Sequence, residues 1–257
     1  MTELEREMYK IITEISNANV PIIFKGAMVT KLVLDENEYI EISRGTKDID
    51  ANWVGEIPPA EEIEELINNS LSENTTYRAE VYREFSVSPT TLGIRIFNST
   101  TGERVVNMDI DIRPIVGSQL YYYGETTIRG VLPTEIIADK ICVISSGLIF
   151  RRAKDLIDVY ALSNCVDITT EDILRIVEAK ERSIGEFNEF LNRVEDLEHA
   201  YNRLRGITNK PSFEKVYNHL NEFLTPFINE DRTPRTWRAI QRYWENGTIE
   251  DISPTEY

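Results

Sequence analysis

The sequence predicts an α+β protein in which a mixed sheet with flanking helices is followed by a helical C-terminal domain. In the first half, short runs rich in β-branched and aromatic residues alternate with amphipathic segments. In the last third, nearly every apolar run has helical spacing. We therefore assign residues 1–130 to the core and residues 131–257 to a helical domain that contributes to the active site.

The first half contains strand-like segments separated by helical ones. Strands are predicted at residues 20–24, 49–54, 78–87, 92–97 and 105–112, with a further short pair at 121–123 and 126–128, and helices at 3–16, 27–34 and 60–71. Thr101-Gly102 is typical of the turn of a hairpin.

The second half shows the 3.6-residue period of helices. Helices are predicted at residues 133–146, 152–163, 170–179, 184–198, 212–224 and 236–244. Thr134 is a candidate N-cap of the first of these, and Thr169, followed by early acidic residues, is a candidate N-cap of the third.

Composition and charge limit the classes of function. The chain has 257 residues, 41% of them hydrophobic, and a formal net charge of −16. A protein that binds nucleic acid irrespective of sequence is usually basic, so this composition argues against that as the main activity. Acidity is compatible with a nucleotide site, because Mg²⁺ can bridge carboxylates and phosphates.

Several absences in the sequence indicate the cytoplasm as the expected location, with no membrane partner. Residues 1–10 are charged and lack the apolar segment of a signal peptide. No apolar run is long enough for a membrane helix. The two cysteines, Cys142 and Cys165, do not form a disulfide framework. His199 and His219 lack zinc-ligand spacing, so we interpret them as ordinary helix residues.

The most informative motif is an acidic pair that opens a predicted strand. Asp48 and Asp50 are two residues apart, so their side chains point to the same face, roughly 7 Å apart at the Cα atoms. Carboxylates placed in this way can bind one or two divalent cations, for which we expect Mg²⁺ or Mn²⁺. The alternative is a solvated pair at the end of a strand.

A second acidic pair repeats this alternation on another predicted strand. Asp109 and Asp111 interrupt an apolar β-run, where aspartate is disfavoured. One of them can supply a third metal-binding carboxylate. We favour Asp109, because Asp111 lies nearer the end of the strand before Pro114. The alternative is an edge strand with one wet face.

Basic residues cluster once in this acidic chain. Arg151, Arg152 and Lys154 precede Asp155 and Asp158, and helical spacing places several of these on one face. Cations opposite a carboxylate cluster are what a triphosphate requires, although a surface ladder of salt bridges has the same pattern.

A glycine between a buried strand and a helix is the last candidate feature. Gly26 can let backbone N–H groups approach a phosphate at the start of a helix. A simple turn glycine is the alternative.

Together these motifs resemble the AbiEii/AbiGii toxin family of nucleotidyltransferases, a branch of the polymerase-β superfamily. The resemblance covers roughly residues 20–162 and rests on the order and combination of motifs. The motifs are Phe24-Lys25-Gly26-Ala27, Arg44-x-Thr46-x-Asp48-Ile49-Asp50, Asp109, Glu135-x-x-Ala138-x-Lys140, and Arg152-x-Lys154-Asp155-Leu156-x-Asp158-Val159-Tyr160.

The resemblance implies a polymerase-β-like core and roles for individual residues. Asp48, Asp50 and Asp109 would bind the metal, and Lys140 would contact the triphosphate. Asp155 or Asp158 would complete the helical side of the site. The other residues of the nucleotide site would be Lys25, Gly26, Arg44, Thr46, Arg152 and Lys154.

The family resemblance also implies a biological setting. Members transfer a nucleotide from a nucleoside triphosphate, some of them to tRNA, and act as toxins of toxin–antitoxin or phage-defence systems with a separately encoded antitoxin. One departure concerns the phosphate loop. The family usually has Gly-Gly or Gly-Ser followed by Thr or Ser, whereas this chain has Lys25-Gly26-Ala27. Three alternatives remain: a small-molecule acceptor, a catalytically silent relative that binds nucleotide or protein, and a structural helical module.

Overall fold

The computed structural model describes residues 2–72 and 74–247. Within them the chain forms two compact units. The first unit comprises the chain up to Glu36 together with Ser43–Leu132, and the second comprises Asn37–Ile42 and the chain from Pro133 onward. No helix among the described residues is both long enough and apolar enough to cross a membrane.

Among the residues that the structure describes, the first unit combines three helices with eight strands. The helices are α1 (Glu3–Asn17), α2 (Gly26–Glu36) and α3 (Ala60–Ser72); the strands are β1 (Ile22–Lys25), β2 (Ser43–Arg44), β3 (Asp48–Trp53), β4 (Tyr77–Arg83), β5 (Thr91–Asn98), β6 (Arg104–Asp111), β7 (Ser118–Tyr123) and β8 (Thr126–Val131). Seven of the strands form one sheet in the order β4-β5-β6-β3-β1-β8-β7. The sheet is mixed, because β3 runs parallel to β6 and β1 parallel to β8 while its other neighbours are antiparallel.

Local sequence explains how α1 and the centre of the sheet form. Thr2 and Glu5 form a capping box at the start of α1, and the apolar positions of this helix are buried. In β3 the buried side chains Ile49 and Ala51 alternate with Asp48 and Asp50. One face of the central strands is therefore apolar and covered, while the other is polar, as expected for strands with period-two alternation.

The second unit is mainly helical and contains a small sheet. Its helices are α4 (Pro133–Ile144), α5 (Lys154–Ser163), α6 (Thr170–Ala179), α7 (Asn188–Asn192), α8 (Val194–Asn202), α9 (Phe213–Phe223) and α10 (Thr225–Ile228); its strands are β9 (Ile168–Thr169), β10 (Ile207–Thr208), β11 (Arg235–Arg238) and β12 (Tyr243–Asn246). Helix α4 packs against α5 and α6, and α5 packs against α9. The α+β class predicted from the sequence is confirmed.

The helix predicted at residues 236–244 is wrong. This segment forms β11 and β12, which pair so that Trp237 lies opposite Trp244. Trp237 is fully buried and its indole N–H donates a hydrogen bond to the carbonyl of Ser163 at 2.6 Å. The rings of Trp237 and Trp244 contact each other edge to face across this antiparallel pair, with ring centroids 5.5 Å apart.

Three other helix predictions need correction. The helix predicted at 184–198 is broken into α7 and α8, and Phe187 before α7 has a left-handed backbone with φ of 59°. The helix predicted from Arg152 begins at Lys154. Helix α4 begins at Pro133, so Thr134 lies inside its first turn rather than at its N-cap. Thr169 is confirmed as the N-cap of α6, because its side chain accepts a hydrogen bond from the Asp172 N–H.

Candidate active site

Candidate site residues from three strands lie side by side on the polar face of the sheet. In the strand register Lys25 of β1 is paired with Asp50 of β3, and Asp50 is paired with Asp109 of β6. Residues paired across neighbouring strands project to the same face, and neighbouring strands are about 4.8 Å apart. The structure therefore brings together Asp50 and Asp109, which are far apart in the sequence.

Asp48 joins this row from the same strand. It lies two residues before Asp50, on the same face, and is exposed. Its strand neighbour on β6 is Asn107. The hydroxyl of Thr46 donates a hydrogen bond to the Asp48 backbone carbonyl at 3.2 Å, which ties the turn to the start of β3. Asp48, Asp50 and Asp109 thus share one face of the sheet, and we call these three residues the acidic row.

Asp109 and Asp111 differ in what they contact. Asp109 is 40% exposed and receives one hydrogen bond from Arg83, at 2.8 Å. Asp111 is nearly buried, and it binds Lys25 at 3.1 Å and the backbone N–H and guanidinium of Arg113. Because Asp111 is already enclosed by two cations, Asp109 is the carboxylate of this pair that is more available to a ligand.

The ionisation of Asp111 follows from this enclosure. Burial by itself raises the pKa of the Asp111 carboxyl, but the hydrogen bonds from Arg113 and the charge of Lys25 outweigh burial and lower the pKa to about 2. Asp111 is therefore a charged anchor that fixes the side chains of Lys25 and Arg113 beside the acidic row.

Gly26 lies directly against the acidic row. Its φ is +68°, and a Cβ atom placed on it would lie 2.3 Å from Oδ2 of Asp50. Any other residue would be strained and would collide with this carboxylate. Gly26 begins α2, so the backbone N–H groups at the start of an 11-residue helix lie next to Asp50.

The Thr30 hydroxyl does not take the place of the Ser or Thr hydroxyl that is absent next to Gly26. Thr30 is buried, and its side chain donates a hydrogen bond to the carbonyl of Gly26 at 3.0 Å. Ala27 offers no hydroxyl. Arg44 lies in β2, a few residues before the acidic row, and donates a long hydrogen bond to the carbonyl of Gly45.

The second unit brings together Lys140, Asp155 and Asp158, a set that we call the lysine–aspartate cluster. The Lys140 ammonium lies 2.8 Å from Asp155 Oδ1 and 2.7 Å from Asp158 Oδ2. Arg152, which precedes α5, contacts Asp155 at 2.9 Å, and Lys154 is the first residue of α5. The cluster is buried, so it is not the surface ladder that the sequence left open as an alternative.

The charges of the lysine–aspartate cluster stabilise one another. Burial by itself lowers the pKa of Lys140, but the two carboxylates, Asp158 first, more than offset burial and raise the pKa. Lys140 is therefore an ammonium held between two carboxylates, and Arg152 supplies a second positive charge beside them.

Sequence reasoning missed Arg83, Arg113 and Asn52. The Asn52 side chain is buried and donates to the carbonyl of Arg113 at 2.7 Å, extending the alternation of Asp48 and Asp50 by one more polar residue. That alternation could have identified Asn52. Arg83 could not have been found, because its contact with Asp109 depends on the register of three strands.

The donor set on the acidic row suits a hard divalent cation, although its side chains are not gathered into a ready-made site. Carboxylate oxygens are the ligands that Mg²⁺ and Mn²⁺ prefer. Across residues 2–72 and 74–247, no three His, Cys, Asp or Glu side chains converge as a metal cluster. The backbone positions of Asp48, Asp50 and Asp109 nevertheless place three carboxylate side chains on one face of the sheet.

A family model matches most of the chain. The family model described as "Nucleotidyl transferase AbiEii toxin, Type IV TA system" matches residues 12–246. Comparison with curated protein sequences finds no match.

The solved structures similar to the chain include two described as nucleotidyltransferase or nucleotidyltransferase-like. The nucleotidyltransferase toxin MenT4 (Rv2826c) from Mycobacterium tuberculosis H37Rv is 15% identical, with 88% of this chain and 90% of that chain covered and a TM-score of 0.48. An antigenic nucleotidyltransferase-like protein from Paracoccidioides brasiliensis is 12% identical, with 78% of this chain and 92% of that chain covered and a TM-score of 0.44.

Proposed function

Because the chain belongs to the nucleotidyl transferase AbiEii toxin family of type IV toxin–antitoxin systems, we propose that it moves a nucleoside monophosphate from a nucleoside triphosphate to RNA, with tRNA as the acceptor. The observation that carries this proposal is the pairing of Asp50 with Asp109 across β3 and β6, with Gly26 packed against Asp50. This arrangement offers carboxylates and helix N–H groups to one phosphate-bearing substrate.

The triphosphate would lie on the β1 and α2 side of the acidic row. The start of α2 at Gly26 supplies backbone N–H groups and the positive end of a helix dipole. Lys25, fixed by Asp111, supplies a positive charge beside them, and Arg44 and Thr46 lie on the chain that leads into β3. These groups would bind and orient the phosphates.

A divalent cation would be held by Asp48, Asp50 and Asp109. When bound, Mg²⁺ or Mn²⁺ neutralises charge on the phosphates and lowers the pKa of an attacking hydroxyl. Asp48 and Asp50 would hold the cation, and Asp109 would accept the proton of the acceptor hydroxyl. The acceptor oxygen bonds to the α-phosphorus, the bond from the α-phosphorus to the bridging oxygen breaks, and pyrophosphate leaves.

The lysine–aspartate cluster is the second group of residues for which we propose a role in nucleotide binding. We propose that Lys140 contacts the triphosphate, with Arg152 and Lys154 as further cations. Asp155 and Asp158 would hold Lys140 charged and oriented, since both carboxylates bind its ammonium. A direct phosphate contact by Lys140 requires that the phosphate share this ammonium with the two aspartates.

Asp48→Ala tests the proposed chemistry, because the side chain is exposed and packs no core. We expect the variant to fold normally and to lose transfer from labelled nucleoside triphosphates to total tRNA by at least about a hundredfold, as the loss of a charge-stabilising group at a reacting centre does. Arg129→Ala, an exposed residue on β8 of the same sheet, is the matched control and should keep full activity. A folded Asp48→Ala protein with unchanged transfer contradicts the scheme.

Two other functions have an observation in their favour. The net charge of −16 favours a small-molecule acceptor over a polyanion. The phosphate loop without a hydroxyl favours a catalytically silent relative. Transfer to an added small molecule but not to tRNA would support the first, and Mg²⁺-dependent binding of nucleoside triphosphate without turnover would support the second.

We further propose a cytoplasmic toxin, with a role in phage defence, whose effect is countered by a separately encoded antitoxin. The family to which the chain belongs supports the toxin role. A neighbouring gene that restores growth when expressed together with this chain would support the pairing, and growth unaffected by expression of this chain alone would contradict it.

A further inference from the structure

One part of the sheet carries arginines and aromatic rings beside the acidic row. Strands β4 and β5 place Arg78, Tyr82, Arg83, Arg95 and Phe97 next to one another, and we call this set the arginine–aromatic face. It is unusual in a chain with a net charge of −16, in which acidic residues outnumber basic ones by 44 to 28.

The strand register connects this face to the catalytic candidates. Arg83 is paired with Gly93, Gly93 with Asp109, and Asp109 with Asp50. Arg95 lies two residues after Gly93 and is therefore on the same face. The Arg83 guanidinium also binds Asp109 directly, at 2.8 Å.

Tyr82 is held next to Asp109 by an adjacent glycine. It occupies an irregularity in the pairing of β4 with β5, between Val81 and Arg83. A Cβ atom on Gly93 would lie 2.8 Å from the Tyr82 ring, so the ring lies over the glycine, one strand away from Asp109. The absence of a side chain at residue 93 makes room for this ring.

The cations of this face stack on its aromatic rings. The Arg95 guanidinium is 4.4 Å from the centre of the Tyr82 ring, and the Arg83 guanidinium is 5.5 Å from it. Arg78 is 4.8 Å from the centre of the Phe97 ring. Such cation–π contacts place positive charge over aromatic surfaces, a combination on which nucleic-acid bases can stack.

The face offers positive charge as well as rings. Arg78 forms a salt bridge with Glu80 and Arg83 with Asp109. Arg95 lies opposite Glu80 in the strand register, is exposed, and forms no salt bridge within residues 2–72 and 74–247. An RNA strand supplies phosphates that can pair with this arginine.

The position of the face distinguishes an acceptor from the nucleotide donor. In the row of paired residues, Lys25 and Gly26 lie on one side of Asp50, while Asp109, Gly93 and Tyr82 lie on the other. In phosphoryl transfer the attacking and leaving oxygens are roughly in line, on opposite sides of the phosphorus. With the pyrophosphate on the Gly26 side, the attacking hydroxyl arrives from the Tyr82 side.

We propose that the arginine–aromatic face binds the single-stranded end of an RNA acceptor and guides its terminal hydroxyl to Asp109. The inference rests on the proposed function, since it assigns the acceptor side of that same site. Single-stranded nucleic acid is bound by positive surfaces that carry aromatic rings, which is the chemistry of this face. A local positive patch of this kind allows a protein with a net charge of −16 to bind a short segment of RNA.

The experiment measures binding of a short fluorescein-labelled single-stranded RNA, together with the KM for the nucleoside triphosphate. Arg95→Glu should raise the Kd for RNA at least about fivefold and reduce the salt dependence of binding by about one phosphate contact. Tyr82→Leu, which keeps an apolar group over Gly93, should weaken binding at least about fivefold through loss of stacking. Arg129→Glu makes the same change of charge on an exposed arginine of β8 and is the matched control.

The outcomes separate this inference from the proposed function. Weakened RNA binding in Arg95→Glu and Tyr82→Leu, with an unchanged KM for the nucleoside triphosphate and little effect of Arg129→Glu, supports the face as the acceptor site. Equal losses in Arg95→Glu and Arg129→Glu, a raised KM for the nucleoside triphosphate, or wild-type protein that does not bind the RNA overturns it. If no acceptor is modified by wild type although the RNA results hold, the proposed function and the acceptor role of the face both fail, and only the binding of RNA by the face stands.

Discussion

The acidic row of the first unit and the lysine–aspartate cluster of the second use the same kinds of residue in opposite environments. Asp48 is exposed and Asp109 is 40% exposed, so part of their charge faces solvent. The side chains of Lys140, Asp155 and Asp158 are 9%, 0% and 4% exposed, and each aspartate binds the lysine. A buried charge has to be matched within the protein, whereas an exposed one can remain available to a ligand.

This contrast separates the residues whose loss should destabilise the fold from those whose loss should leave it intact. Asp111 shows that the division does not follow the units. It belongs to the first unit and shares the face of Asp109, yet its side chain is only 6% exposed and it is enclosed by Lys25 and Arg113. Burial and pairing, rather than residue type, therefore decide the expected effect of each substitution.

The largest expected effect is that of Lys140→Met. This change leaves two buried carboxylates without their lysine, and we expect the free energy of unfolding to fall by about 3–5 kcal/mol. Urea denaturation measures the loss. Lys25→Met is the matched control, because Lys25 is 25% exposed and pairs with a carboxylate that also binds Arg113, so its loss should be much smaller. Equal losses of unfolding free energy in Lys140→Met and Lys25→Met would contradict the difference that we expect between a buried lysine and a partly exposed one.

An intermediate effect is expected from the titration of Asp111. Its pKa in the folded protein is about 2, below the ordinary value of 3.8, so the ionised form is favoured by folding. The stabilisation is present above pH 4 and is lost as the pH falls from about 4 to about 2, and it amounts to about 2 kcal/mol.

The measurement compares unfolding of wild type and Asp111→Asn in urea at a series of pH values. The difference in stability between the two proteins should shrink over the interval from pH 4 to pH 2. A difference that stays constant through this interval would show that Asp111 is not held charged by Lys25 and Arg113.

The smallest expected effect on stability is that of Asp48→Asn. Asp48 is exposed and its side chain fills no core position, so the free energy of unfolding should change by less than about 0.5 kcal/mol. Thermal or urea denaturation checks this. A loss of more than about 2 kcal/mol would assign Asp48 to the structural group and would weaken its role as an open ligand.

Much of the fold was readable from local sequence. Alternation predicted the strands that carry Asp48, Asp50 and Asp109, and the helix predicted at 170–179 coincides with α6 and its cap at Thr169. The segment at 236–244 was misread because Trp237 and Trp244 are seven residues apart, a spacing that fits a helix as well as a hairpin. Only the tertiary contacts of these two tryptophans decided between a helix and a hairpin.

The sequence by itself determined which residues alternate along β3 and β6, because side-chain direction in a strand follows from the position in the chain. It also identified the family motifs and the acidic composition. The tertiary structure alone decided that Asp50 pairs with Asp109, that Arg83 reaches Asp109, and that Lys140 is buried between two aspartates. Strand register and burial depend on contacts between residues that are distant in the sequence, and no local pattern specifies them.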